Sequence, residues 1–218
     1  MNLRPSVGPC QTGSGCDALR SLLAYSLPPA QVAVSPADPR DSARLLRIDR
    51  QTQALEDHAI RDLPRILQPK DLLVFNNSKV IPARIICSTA RAEILLLEET
   101  RPGWWTALGT PAKRLTPGTD LFPDPVEGQP PATPSLRVEK TIPGGQLVIR
   151  SLVEKFDLNR FGHPPLPPYI LKSRKAQGRP DVDPADIASY QTIYAKIPGS
   201  VAAPTAGLHF TPELLSVL

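Results

Sequence analysis

The chain is 218 residues long and 41% hydrophobic, enough for one large domain or two small ones around a real core. Aromatics make up 5%, and 27 prolines stand against 13 glycines, so stiff extended segments are favoured and a helical bundle is disfavoured. A net charge of +4 and a pI near 9.1 suit approach to nucleic acid without specifying it.

Residues 1 to about 21 contain Pro5, Gly8, Pro9, Gly13 and Gly15 and no apolar stretch of signal-peptide type, which reads as a poorly ordered extension. Cys10, Cys16 and Cys87 are odd in number and lack CxxC spacing, so neither a disulfide framework nor a zinc site is indicated and no metal is expected. No run approaches the roughly 20 apolar residues that cross a bilayer. The expectation is a soluble, cytoplasmic protein with no membrane partner.

From Ala24 to Arg50 the sequence reads as proline-interrupted coil ending in a short strand-like segment, Arg44-Leu45-Leu46-Arg47-Ile48-Asp49, with His58 beyond it on coil. Arg61 to Leu67 predicts one or two helical turns. Asp71-Leu72-Leu73-Val74-Phe75 is a continuous apolar run of the kind that forms a strand buried on both faces. Strand candidates then follow densely at Val80 to Cys87, Ala92 to Leu97, Trp104 to Leu108, Leu136 to Lys140 and Gln146 to Ser151. Ile142-Pro143-Gly144-Gly145 supplies a hairpin turn between the last two. Trp104-Trp105 places one ring inward and one outward. So many short strands in about 75 residues suggest a small antiparallel barrel, because closure removes edges.

After residue 152 the pattern changes. Leu152 to Phe161 reads as helical, Pro164 to Pro168 as a proline run near a domain boundary, and Lys172-Ser173-Arg174-Lys175 with Arg179 as a basic loop. Asp183-Pro184 and Thr211-Pro212-Glu213 are helix starts, each with a capping side chain before proline at the first helical position. Only five residues follow Glu213, and so short a helix is marginal alone. The expectation is a chain truncated at its C-terminus and, by itself, a poor catalyst or none.

No GxGxxG, Walker loop, HExxH or GxSxG is present. Two segments are nonetheless unusual for scaffolding: Asn76-Asn77-Ser78-Lys79-Val80-Ile81-Pro82-Ala83-Arg84, and Tyr190-Gln191-Thr192-Ile193-Tyr194-Ala195-Lys196 running on through Pro204-Thr205-Ala206-Gly207-Leu208-His209-Phe210. The second resembles the S-adenosylmethionine:tRNA ribosyltransferase-isomerase family almost residue for residue. Asp71 to Arg84, Ala92 to Glu98, Leu166-Pro167-Pro168-Tyr169-Ile170, and Arg40-Asp41 with Arg44-Leu45-Leu46 and His58 extend the similarity, so that it covers about residues 24 to 218. The sequence departs from the family pattern at Asn77, Ser78 and Lys79, where Asp, Thr and Arg are usual. Ala43 and Lys70 depart as well, standing where Ser and Gly are usual. An amide at 77 cannot exchange a proton near neutral pH.

The resemblance implies an enzyme of queuosine biosynthesis. Its S-adenosylmethionine is a ribosyl-donor substrate, not a cofactor, and the acceptor is a 7-aminomethyl-7-deazaguanine in tRNA. The products are epoxyqueuosine, adenine and methionine. It also implies a mixed α/β domain, residues 22–77 and 158–218, interrupted by a β-barrel domain at 78–157, with the active site where the Asn76 loop and the Tyr190 to Phe210 segment converge. The oligomeric state is not readable from the sequence, with a monomer favoured. Such chemistry needs a base for the carbon beside the sulfonium and an acid for departing adenine. His209 is the first candidate for proton transfer, with Tyr190 beside it in the catalytic set. Asn76, Lys79, Arg84, Tyr194, Lys196, Pro204, Thr205 and Gly207 are substrate-binding candidates, Lys79 and Arg84 for a carboxylate or phosphate. Lys172, Arg174, Lys175 and Arg179 are candidates for tRNA phosphate. Alternatives remain open: the tyrosines as strand packing, the basic segment as a solvated loop, His209 as a structural or binding residue, and the whole as a non-catalytic RNA-binding module or an inactive fragment.

Overall fold

The computed structural model describes residues 24–218; the N-terminal extension read from sequence lies outside them. Two compact units divide the chain after Ala33. The described part of the first is exposed coil with one 3-10 turn, Pro29–Gln31.

The second unit, Val34–Leu218, opens with a 3-10 turn at Arg40–Ser42 and an antiparallel hairpin of β1 (Arg44–Ile48) and β2 (Leu55–Ala59). His58 is therefore not on coil but in β2, opposite Leu45. A 3-10 turn at Ile60–Asp62 runs into helix α1 (Leu63–Ile66), as the sequence predicts.

The expected buried strand at Asp71–Phe75 is absent. These residues form no strand, and Leu72 and Val74 are 85% and 86% exposed. A strand apolar on both faces needs neighbours on both edges, and no described segment pairs with it.

The Val80 to Cys87 run is two strands, β3 (Ser78–Val80) and β4 (Arg84–Cys87). Pro82 lies between them and has no N–H for a ladder. β3 pairs in parallel with β11 (Ile197–Ser200). β4 enters a seven-stranded antiparallel sheet with β5 (Ala92–Arg101), β6 (Trp104–Thr110), β7 (Asp120–Leu121), β8 (Leu136–Ile142), β9 (Gln146–Ser151) and β10 (Gly162–His163), in the order β10-β4-β5-β6-β9-β8-β7. Gly144 and Gly145, at φ +88° and +78°, make the turn between β8 and β9. Only glycine takes both angles without strain.

The sheet is a curled half-barrel, not a closed barrel: β10 and β7 are its edges. Its concave side holds the core, with Ile85, Ile94, Leu96, Ala107, Leu121, Leu136, Val138 and Ile149 at 0 or 1% exposure. Trp105 points inward onto Phe156, which stacks on Phe161. The gap is spanned by two isolated bonds from the segment after β7, Asp124 N–H to Ile86 carbonyl and Val126 N–H to Arg160 carbonyl, each 2.8 Å. Proline at 123 and 125 prevents that segment from continuing the ladder.

The Leu152 to Phe161 expectation holds only for helix α2 (Leu158–Phe161), capped by Asp157 accepting from the Asn159 N–H. The basic "loop" is instead helix α3 (Pro168–Ala176). Pro168 stands at its first position, where a missing N–H costs nothing. Helix α4 (Asp186–Ser189) starts two residues beyond Pro184, and helix α5 (Pro212–Val217) is capped by Thr211 Oγ1 accepting from the Leu214 N–H. The described residues contain no helix long and apolar enough to cross a membrane.

Candidate functional site

The two unusual segments meet. In the parallel pair, Ser78 stands opposite Ile197 and Lys79 opposite Pro198, and the Asn77 carbonyl accepts from the N–H groups of Lys196 and Ile197 at 2.8 and 3.0 Å. Two side chains reinforce this junction. The Gln191 amide accepts from the Val80 N–H at 3.2 Å and donates to the Val80 carbonyl at 3.0 Å, acting as one more rung of the ladder. The Arg40 guanidinium donates to the carbonyls of Ala188, Gln191 and Leu208 at 2.6, 2.7 and 3.3 Å. It thereby ties the end of α4 to the 3-10 turn Thr205–His209.

Asn76 and Tyr194 form the centre of the junction. The Tyr194 hydroxyl donates to Asn76 Oδ1 at 3.3 Å, and Asn76 Nδ2 donates to Ser78 Oγ at 3.0 Å. Phe75 packs edge-on against Tyr194 and Phe210, with ring centroids 5.1 and 5.0 Å away. Gly207 is buried here, and a Cβ at that position would fall on the Tyr194 hydroxyl. The glycine in the segment thus serves close approach. Burial raises the Tyr194 phenol above its usual pKa, against a smaller opposing effect of Thr192.

A cleft of about 520 Å³ adjoins this junction, lined among others by Arg40, Lys79, Val80, Tyr190, Gln191 and Thr192. The Thr192 hydroxyl is buried with no hydrogen-bond partner among the described residues, and its methyl group lies close against Gly207. Tyr190 is only 7% exposed and packs with Val80 and Leu166. Burial pushes its phenol up, so at neutral pH it is a hydrogen-bond donor, not a base.

His209 is half-buried at the end of the turn that carries Gly207, with Pro204 half-buried just before that turn and Thr205 exposed at its start. Lys79, in β3, and Lys196, just before β11, are exposed. Lys172 and Lys175 are exposed on α3, and Arg179 donates to Ser35 Oγ at 3.2 Å.

Two of the candidates are engaged inside the protein. Arg174 is 5% exposed, and its guanidinium donates to both Asp186 oxygens at 2.7 and 2.6 Å and to the Val34 carbonyl at 3.2 and 3.1 Å. Arg84 is enclosed in the same way. It is 5% exposed, with Nη2 on Glu93 at 2.7 Å and Nη1 on the Asp181 carbonyl at 3.2 Å. Sequence reasoning missed Arg40, Gln191 and Thr192, whose roles depend on backbone or burial set by distant segments. Among the described residues no three His, Cys, Asp or Glu side chains gather to hold a metal ion.

The Asn76 loop and the Tyr190–Phe210 segment thus meet beside the half-barrel and bring amide, phenol and lysine side chains to the edge of a cleft. The family described as queuosine biosynthesis protein matches residues 20–218, and the chain belongs to it. It is similar to S-adenosylmethionine:tRNA ribosyltransferase-isomerase from Trichormus variabilis, at 43% identity over 89% of this chain and 54% of the relative. It is similar also to the protein of that name from Thermus thermophilus, at 44% identity over 89% and 55%. The crystal structure of S-adenosylmethionine tRNA ribosyltransferase from Thermotoga maritima is 30% identical, with a TM-score of 0.30, over 88% of this chain and 51% of that one. The chain thus spans about half the length of the curated relatives it matches.

Proposed function

We propose that the chain serves a tRNA ribosyltransferase-isomerase. In this reading S-adenosylmethionine gives its ribosyl portion to the aminomethyl arm of a 7-deazaguanine in tRNA, leaving epoxyqueuosine and releasing adenine and methionine. The observation that carries it is the convergence of the Asn76 loop and the Tyr190–Phe210 segment through the β3–β11 pair, in a chain whose curated relatives bear that enzyme's name. Tyr194 and Asn76 supply a donor and an acceptor for a ribose or base edge. Lys79 and Lys196 offer cations to a carboxylate or phosphate, and Tyr190 lines the adjoining cleft. His209, with Pro204, Thr205 and Gly207 shaping its turn, transfers the proton beside the sulfonium. The sulfonium itself acidifies that carbon. Asn77 leaves the acid–base work to groups other than the residue at that position.

The same reading places the segments flanking the sheet in one α/β domain, the enzyme in the cytoplasm, and the protein as a monomer working on tRNA without a resident cofactor. The competing reading is a non-catalytic RNA-binding module. The two are separated by adenine. With the chain joined to the second half of a curated relative, adenine should appear only when S-adenosylmethionine and tRNA bearing the aminomethyl deazaguanine are both present. Binding of that tRNA with no adenine under the same conditions would select the module instead.

A further inference from the structure

A second cleft, of about 590 Å³, opens between the β4–β5 hairpin and helix α3. Its floor is apolar, with Ile86, Ala92, Pro168 and Leu171. Glu93 is the one carboxylate in its lining, and Arg84 already holds it at 2.7 Å. The rim is cationic on both sides. Arg91 stands exposed in the hairpin turn, and Arg114 donates to the Arg91 carbonyl at 2.7 Å, which brings a second guanidinium to that side. On the other side, Pro168 and Leu171 fix which face of α3 turns toward the cleft. Positions 172 and 175 lie four residues beyond each and share that face, and they are the exposed Lys172 and Lys175. Among the described residues none of these four cations takes part in an ion pair. On the sheet, the half-buried Arg137 and Arg150 are paired with Asp120 and Glu139, each at 2.6 Å.

We propose that this cleft carries the phosphate backbone of the RNA substrate, with Arg91 and Arg114 on one bank and Lys172 and Lys175 on the other. The inference rests on the reading of the chain as part of a tRNA-modifying enzyme, and it assigns the strand a path distinct from the cleft beside Tyr190. Unpaired cations over an apolar floor attract phosphate more strongly than the same charges in open water, because fewer field lines run through solvent. Contacts of this kind position RNA without reading its sequence.

The test is the salt dependence of tRNA binding by the chain. Each phosphate neutralised contributes about −0.7 to −0.9 to the slope of log K against log salt. Replacing Arg91, Arg114, Lys172 and Lys175 together by alanine should therefore flatten the slope by about 3 and weaken binding by about 10²-fold or more near 0.1 M salt. All four side chains are exposed, so the fold should survive, and circular dichroism checks this. The pair Lys172→Glu and Lys175→Glu provides a smaller perturbation with the same sign, and Lys140→Ala, at an exposed position of β8, should leave slope and affinity unchanged. A folded four-residue variant that binds with the original slope and affinity overturns the groove while leaving the RNA reading intact. Failure of the unaltered chain to bind tRNA at low salt overturns both.

Discussion

The buried pair of Arg174 and Asp186 gives the sharpest quantitative expectation. Its side chains are 5% and 8% exposed, joined by two bonds of 2.6 and 2.7 Å. Arg174→Met would leave the Asp186 carboxylate buried with only the Asp183 N–H at 3.3 Å, a loss of about 3–5 kcal/mol, as expected when one partner of a buried pair is removed. That is about a fifth or more of the roughly 5–15 kcal/mol that holds a domain folded. Asp186→Leu should cost a similar amount, because it strands a guanidinium. The double variant should recover most of the loss, since an apolar pair of similar volume is often neutral in such places. Urea unfolding with an unchanged m-value reads each free energy. The double variant should also bind tRNA with the original salt slope, because the Arg174 guanidinium does not face solvent. A single-variant loss below about 1 kcal/mol, or a flattened slope in the folded double variant, would refute the structural role argued for this arginine.

Gly207→Ala places a methyl group on the Tyr194 hydroxyl; overpacking of about 1–3 kcal/mol and loss of the bond to Asn76 are expected, visible as a lower Tm, and an unchanged Tm would show that the turn yields freely. His209→Ala in the enzyme joined to the second half of a relative should lower turnover about 10²–10⁴-fold with the fold retained, whereas near-normal turnover with weaker substrate affinity would make His209 a binding residue. His163 is buried in β10, and its pKa is depressed by burial and then by Arg84, with Asp124 and Glu93 opposing. The folded state therefore resists a proton that the unfolded state accepts. This gives stability that is present above the ordinary histidine range near 6.5 and lost as pH falls through the lower folded value. Thermal unfolding from pH 7 downward should fall more steeply for the unaltered chain than for His163→Gln; parallel profiles would contradict this.

The short-range features of the fold were legible in the sequence. The Gly144-Gly145 hairpin, the inward Trp105 and the Thr211 cap each follow from a local rule about backbone angles, alternation or capping. The failures all depend on partners elsewhere in the chain. Leu72 and Val74 have the composition of a buried strand but lack described neighbours. The strand density of the middle segment could not reveal that β7 and β10 stay unpaired edges. Arg174 reads as one of four surface cations until α3 turns it toward Asp186, twelve residues on. At the site, the two unusual segments were visible as composition. Their convergence was expected, but not the parallel pair that makes it, Ser78 with Ile197, 119 residues apart. Arg40 and Gln191 lie within the quoted segments, but they bond only backbone, and nothing local to them tells which groups they reach.

The central claim is that the ribosyl portion of S-adenosylmethionine, not its methyl group, reaches the tRNA. It is tested most directly by supplying the chain, joined to the second half of a curated relative, with S-adenosylmethionine carrying one isotope in the ribosyl carbons and another in the methyl group. Mass analysis of the nucleosides from the recovered tRNA then follows both labels. The account predicts ribosyl label on the deazaguanine, adenine released in equal amount, and no methyl label. Methyl label in the tRNA, or adenine released with no label transferred, would contradict it.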